Sequence, residues 1–161
     1  MVDNKRKSGA GFTLIELLVV IAIIGLLTTL AVVALNSARQ KARDAKRVAD
    51  VKQIQTSLEL YFNDATSYPV VGGPSILGVE YDCLGGDGLD LGACTEPIYM
   101  GLIPGNPGPG GAPYLYESLG STGAGCTTGP CAAYQITFEL EGVAGEFSAG
   151  PVTANQDGMS Q

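Results

Sequence analysis

From Phe12 to Leu35 the chain runs 24 residues with a single charge, Glu16, near the start. The hydrocarbon core of a bilayer takes about 20 residues as a helix, so this run is long enough to span one. It is too long for the apolar core of a secretory signal, about 7–15 residues, and Glu16 would fall inside that core. Cleavage after Ala34, behind the small Val32, would instead release a secreted domain, while a bare single-span anchor would leave Glu16 snorkelling at the interface. No Cys lies near the run, which excludes a lipoprotein anchor. A comparable charge at the centre of a membrane helix costs about 2.5–3.5 kcal/mol on insertion scales, so Glu16 asks for something that offsets it.

Beyond the apolar run the pattern stays helical and becomes one-sided. Over residues 36–63, Ala45, Val48, Val51, Ile54, Leu58 and Tyr61 recur at spacings of three and four and are expected to line the core face. Arg43, Lys46, Arg47 and Asp50 are expected to lie largely elsewhere on the wheel. There is no Pro between Met1 and Tyr68, so a single helix of about 50 residues can form, with Gly25 its best point for local melting. A short coiled coil is the alternative for the amphipathic half.

After Thr66-Ser67-Tyr68-Pro69 the composition turns to Gly, Pro and small residues. Residues 70–112 read as a long loop with short elements at most, near Ile76–Val79 and Ile98–Leu102. Tyr114–Leu119 and Tyr134–Glu141 alternate as half-buried strands do, and a third strand is expected within Glu146–Thr153. The expected fold is α+β: a long N-terminal helix, apolar in its membrane half and amphipathic in the other, packed on a small antiparallel sheet in a head of residues 64–161.

Charge is segregated. Residues 1–11 carry +2, the apolar run only Glu16, residues 36–52 carry +4, and residues 53–161 carry −12 with no Lys or Arg at all. Such asymmetry marks an interaction surface. The four Cys are Cys83, Cys94, Cys126 and Cys131. Three pairings are open, and the local one, 83 with 94 and 126 with 131, is expected because each pair closes a Gly-rich loop. Zinc would need the short C-x₂₋₄-C spacing twice, and Cys126 and Cys131 alone fit it. Gly85-Gly86-Asp87-Gly88-Leu89-Asp90-Leu91 fits one copy of a calcium nonapeptide, with Asp82, Asp87 and Asp90 as oxygen ligands. A solvated acidic loop is the favoured reading, because that motif works in stacked copies. With no His, no phosphate loop and no dinucleotide fingerprint, the chain is not expected to be an enzyme.

A basic stretch, then Gly11-Phe12-Thr13-Leu14-Ile15-Glu16 opening the apolar run, resembles the class III leader of type IV prepilins and type II secretion pseudopilins. The likeness is tight over residues 8–35 and looser to about Pro69. Leu102-Ile103-Pro104-Gly105-Asn106-Pro107, Pro113-Tyr114-Leu115-Tyr116 and Tyr134–Glu141 are similar to the head of pseudopilins and short pilins. The resemblance implies a leader of residues 1–11, cleavage between Gly11 and Phe12 by a prepilin peptidase, and N-methylation of Phe12. It implies that residues 12–35 cross the cytoplasmic (inner) membrane and later form a filament core, with Glu16 meeting the new N-terminal ammonium during assembly.

Its expected partners are the peptidase, copies of the chain or sister pilins, an inner-membrane assembly platform and lipid. Some pseudopilins also bind calcium in a head loop. Pilins typically carry Pro at the position of Val33, which this chain lacks, putting a kink there in doubt. Disulfides of larger pilins staple a C-terminal loop, but no Cys follows Cys131.

Basic residues on both sides of the apolar run conflict with a simple positive-inside count. An extracytoplasmic head is nonetheless expected, because four Cys in a small Gly-rich domain suit an oxidising compartment. In a filament the band at residues 39–52 would face acidic heads of neighbours. Nucleic acid is not an expected partner for a head without cations after Lys52. The alternative function is a tethered extracytoplasmic binding module that does not polymerise.

Overall fold

The computed structural model describes residues 11–161. Helix α1 spans Leu14–Ala65 without interruption, regular through Gly25 and Val33. The described chain divides into two compact units between Ala38 and Arg39.

In the unit from Arg39 onward, the strands are β1 (Ser75–Ile76), β2 (Cys83–Gly85), β3 (Gly88–Asp90), β4 (Leu115–Leu119), β5 (Ala133–Leu140), β6 (Gly150–Asn155) and β7 (Gly158–Ser160). Five form an antiparallel sheet in the order β1-β4-β5-β6-β7, while β2 and β3 make a separate hairpin. The organisation is α+β and pilin-like.

Period-two alternation fixes the sheet register. Tyr116 of β4, Tyr134, Ile136, Phe138 and Leu140 of β5, and Val152 and Ala154 of β6 share one buried face. Val51, Ile54, Leu58 and Tyr61 of α1 fill the other side of that core. Tyr68 sits between Phe62, stacked at 4.6 Å, and Tyr134, edge-on at 4.7 Å. Burial pushes the hydroxyls of Tyr68, Tyr114 and Tyr116 well above the ordinary phenol range, so the core tyrosines stay neutral.

Some boundaries differ from expectation for local reasons. The third strand begins at Gly150 rather than Glu146, because Gly145 takes a left-handed φ of 64° inside a turn closed by Ala144 and Phe147. Pro151 is tolerated in β6 because the β7 pairing starts only at Thr153, so its missing N–H leaves no gap on that side. Strand β7, not among the expected strands, follows the turn Asn155-Gln156-Asp157-Gly158, in which the Asn155 side chain accepts from the Asp157 amide at 2.9 Å. Residues 98–102 form no strand; Met100 makes only an isolated bridge to Leu84.

Candidate functional site

At the N-terminal end, Gly11, Phe12 and Thr13 precede the helix. The Glu16 amide donates to Thr13 Oγ1 at 3.2 Å, which makes Thr13 the helix cap and sets Glu16 three residues on, as in a capping box. A carboxylate in the first turn also faces the positive end of the helix dipole. Glu16 is thus tied to helix initiation, and Thr13-Leu14-Ile15-Glu16 was the signal for it. Apart from Gly11, the leader of residues 1–11 lies outside the described residues.

From Phe12 to Leu35 every side chain is exposed on the single chain, on all sides of the helix. Such a helix needs lipid or other helices around it. Its two hydroxyls are satisfied internally: Thr28 donates to the Ile24 carbonyl and Thr29 to that of Leu26, both at 2.7 Å. Neither therefore demands water in an apolar surround.

Within the head, the core stripe of α1 departs from expectation. Stepping back from Val51 by four and three leads to Arg47 and Asp44, and both are fully buried. Val48 is only partly buried and Ala45 is exposed. Asp50, expected outside, is buried too, holding Lys46 at 2.8 Å.

Arg47 donates to Asp44 Oδ1 at 2.6 Å, Asn106 Oδ1 at 2.7 Å, the Gly110 carbonyl at 2.7 Å and the Pro107 carbonyl at 3.0 Å. It also forms an ion pair with Glu141 at 2.7 Å. Arg43 grips Glu141 with both Nε and Nη2, at 2.7 and 2.5 Å. Asp44 in turn accepts from the Glu141 and Gly142 amides at 3.0 and 2.8 Å, and Gln40 donates to the Glu141 carbonyl at 2.6 Å.

This cluster clamps the helix to two remote segments, the Pro/Gly-rich loop and the end of β5. A Cβ on Gly111, whose φ is 71°, would come within 2.8 Å of the guanidinium, so the loop passes Arg47 only as glycine. The hydrogen bond from Arg43, aided by Arg47, holds the Glu141 carboxyl down to about 2. Glu141, the last residue of the strand expected over Tyr134–Glu141, is the hub of the clamp.

Cys83 is joined to Cys94 and Cys126 to Cys131. Asp82, Asp87 and Asp90 do not converge: no group of three acidic, His or Cys side chains among the described residues is placed to hold a metal. Asp82 instead accepts from the Gly92 amide at 2.8 Å and Asp90 from that of Leu91 at 2.7 Å.

The family described as the prokaryotic N-terminal methylation motif matches residues 6–32. The chain carries a prepilin-type N-terminus.

It is similar to the type II secretion system core protein G of Klebsiella michiganensis, 40% identical over 65 residues, covering 40% of this chain and 46% of that protein. Similar too are the core proteins G of Aeromonas hydrophila, 37% identical over 65 residues (40% and 46%), and of Escherichia coli, 42% over 59 residues (37% and 41%). The chain spans less than half the length of these relatives. No solved structure matches it significantly. The resemblance to the pilin and pseudopilin family therefore holds.

Proposed function

We propose that the chain is a structural subunit of a pseudopilus of the type II secretion kind. It is made as a prepilin, cut between Gly11 and Phe12, methylated on the Phe12 nitrogen and packed into a helical filament. The observation that carries this reading is the methylation-motif match over residues 6–32, on a helix whose apolar residues are exposed on every side.

Cleavage would create an ammonium four residues from Glu16. An α-amino group has a pKa of about 7.7–8.0, so it is largely charged at neutral pH. Ammonium and carboxylate brought together in a helix bundle neutralise each other, and either one alone would be an unpaired buried charge. Glu16 would thereby select subunits seated in the correct register. The partners implied are a prepilin peptidase, further copies or sister pilins, and a membrane assembly platform, with the head extracytoplasmic. The similarity to core proteins G favours a secretion pseudopilus over a surface pilus.

Intact-mass measurement and N-terminal sequencing of the protein from membranes test the reading. A chain beginning at N-methylated Phe12 is expected. A Met1 start in cells with an active peptidase would leave a tethered module, and a start near Leu35 would mean a secreted domain.

A further inference from the structure

Where a helix starts decides which of the peptide bonds before it are open to cleavage. Inside a helix each carbonyl accepts from the amide four residues on, and the backbone is wound out of the extended form in which peptides are usually gripped. Helix α1 begins at Leu14, so the Gly11–Phe12 bond lies outside it, separated from it by Phe12 and Thr13.

Thr13 marks that boundary with both of its oxygens. Its carbonyl accepts the first helical bond, from the Leu17 amide at 3.2 Å, and its Oγ1 accepts from the Glu16 amide, also at 3.2 Å. These two bonds define an N-cap. Winding the helix back by two residues would instead send the Glu16 N–H to the Phe12 carbonyl and the Ile15 N–H to the Gly11 carbonyl. Neither of those bonds forms among the described residues. The Gly11 carbonyl, the group a peptidase attacks when it cuts here, therefore stays outside the helical ladder.

Two further observations bear on the same residues. A Cβ on Gly11 would meet nothing among the described residues, so its smallness serves no contact that they make. A glycine of that kind beside the bond to be cut suits recognition from outside the chain. The cap also uses the backbone of Glu16 and not its carboxylate, so it does not depend on that side chain.

We propose that Thr13 is a positioning residue for cleavage: its hydroxyl caps α1 and holds the Gly11–Phe12 bond out of the helix, in the form a prepilin peptidase takes. The inference rests on the prepilin reading above. Hydrolysis breaks the bond between the Gly11 carbonyl carbon and the Phe12 nitrogen. Water supplies a hydroxyl to the carbon and a proton to the nitrogen. Thr13 takes no part in those bonds; it sets the fraction of chains whose scissile bond is unwound. Loss of the cap lowers that fraction, which weakens apparent affinity and leaves the rate of the bound state unchanged.

The test follows cleavage of the full-length chain, in detergent-solubilised membranes, by a prepilin peptidase of the type II secretion kind. The Phe12 start is read by N-terminal sequencing and intact mass. Thr13→Val keeps the branched shape and removes the acceptor. Its KM should rise about fivefold at unchanged kcat, the equilibrium factor of an N-cap of ordinary strength. Thr13→Asn supplies a cap without a hydroxyl and should restore the parent KM. The melting midpoint of the head should be the same in all three chains, since Thr13 belongs to the other compact unit.

A parent KM for Thr13→Val overturns the proposal, as does a loss confined to kcat. Rescue by Thr13→Ser but not by Thr13→Asn also overturns it, because the peptidase would then be reading the hydroxyl itself. The two readings fail differently. A parent chain left uncut at Gly11–Phe12 by an active peptidase refutes the prepilin reading and this inference with it; a parent cut there, with Thr13→Val cut equally well, refutes the cap alone.

Discussion

Arg47→Ala should be the most damaging single substitution in the head. Arg47 is 0% exposed and its partner Asp44 likewise. Truncation would leave Asp44 buried with only the Glu141 and Gly142 amides to neutralise it. It would also strip the Asn106 side chain and the Pro107 and Gly110 carbonyls of their shared donor. Removing one partner of a buried ion pair costs about 3–5 kcal/mol, because the other charge stays in place uncompensated.

The lost hydrogen bonds are part of that figure rather than additional to it, since the loop carbonyls can rehydrate. For a head of about 120 residues, each kcal/mol moves the unfolding midpoint by roughly 3–5 °C, so a fall on the order of 15 °C is expected. Arg47→Lys keeps the charge but not the planar fork, and should fall about half as far.

The assay is thermal unfolding of the full chain in detergent, followed by near-ultraviolet circular dichroism. That signal reports the tyrosine-rich core and not the apolar helix. Arg39→Ala, at an exposed position, is the control and should change stability by less than about 0.5 kcal/mol. A midpoint for Arg47→Ala within about 3 °C of the parent would refute the reasoning, showing that the clamp is solvated in practice.

Glu141 gives the head an acid-sensitive term. Its carboxyl is held down to about 2 by Arg43 and Arg47, so the stabilisation is fully present above the unfolded value near 4.5 and is lost as pH falls from there toward 2. Glu141→Gln should flatten the stability profile in that window, as read by denaturant midpoints from pH 6 to pH 2. Glu16→Ala should leave processing at Gly11 intact while abolishing assembly, measured as N-methylated Phe12 in membranes without sheared filaments; normal filament yield would count against the charge-neutralisation role. Reducing the 83–94 disulfide should cost about 3 kcal/mol and the shorter 126–131 loop about 2 kcal/mol on loop entropy, checked by melting paired Cys→Ser variants.

Legibility in the sequence followed the range of the interaction. Helix α1, β4 and β5 were visible because their signals are periodic and local. The core stripe was misphased at its N-terminal end, where a hydrophobicity criterion preferred Val48 and Ala45. Unbroken four-three stepping from Tyr61 through Leu58, Ile54 and Val51 arrives at Arg47 and Asp44, and that phase was the available signal. No local rule counts an arginine as core, since its burial depends on acceptors about 60 and 94 residues away in the chain.

By itself the sequence determined the membrane-length helix, the N-terminal methylation motif and the α+β class. These rest on apolar length, on a short linear motif and on periods of 3.6 and 2, which no distant residue alters. Only the tertiary structure decided which cations are paired within the head. Pairing of Arg43 and Arg47 with Glu141 and of Lys46 with Asp50 consumes half of what looked like a uniform basic band, and leaves Lys41 and Lys52 beside an open apolar groove. A charge counts as surface or as core according to what folding brings within about 3 Å of it, and that is a property of the chain's return path rather than of its order.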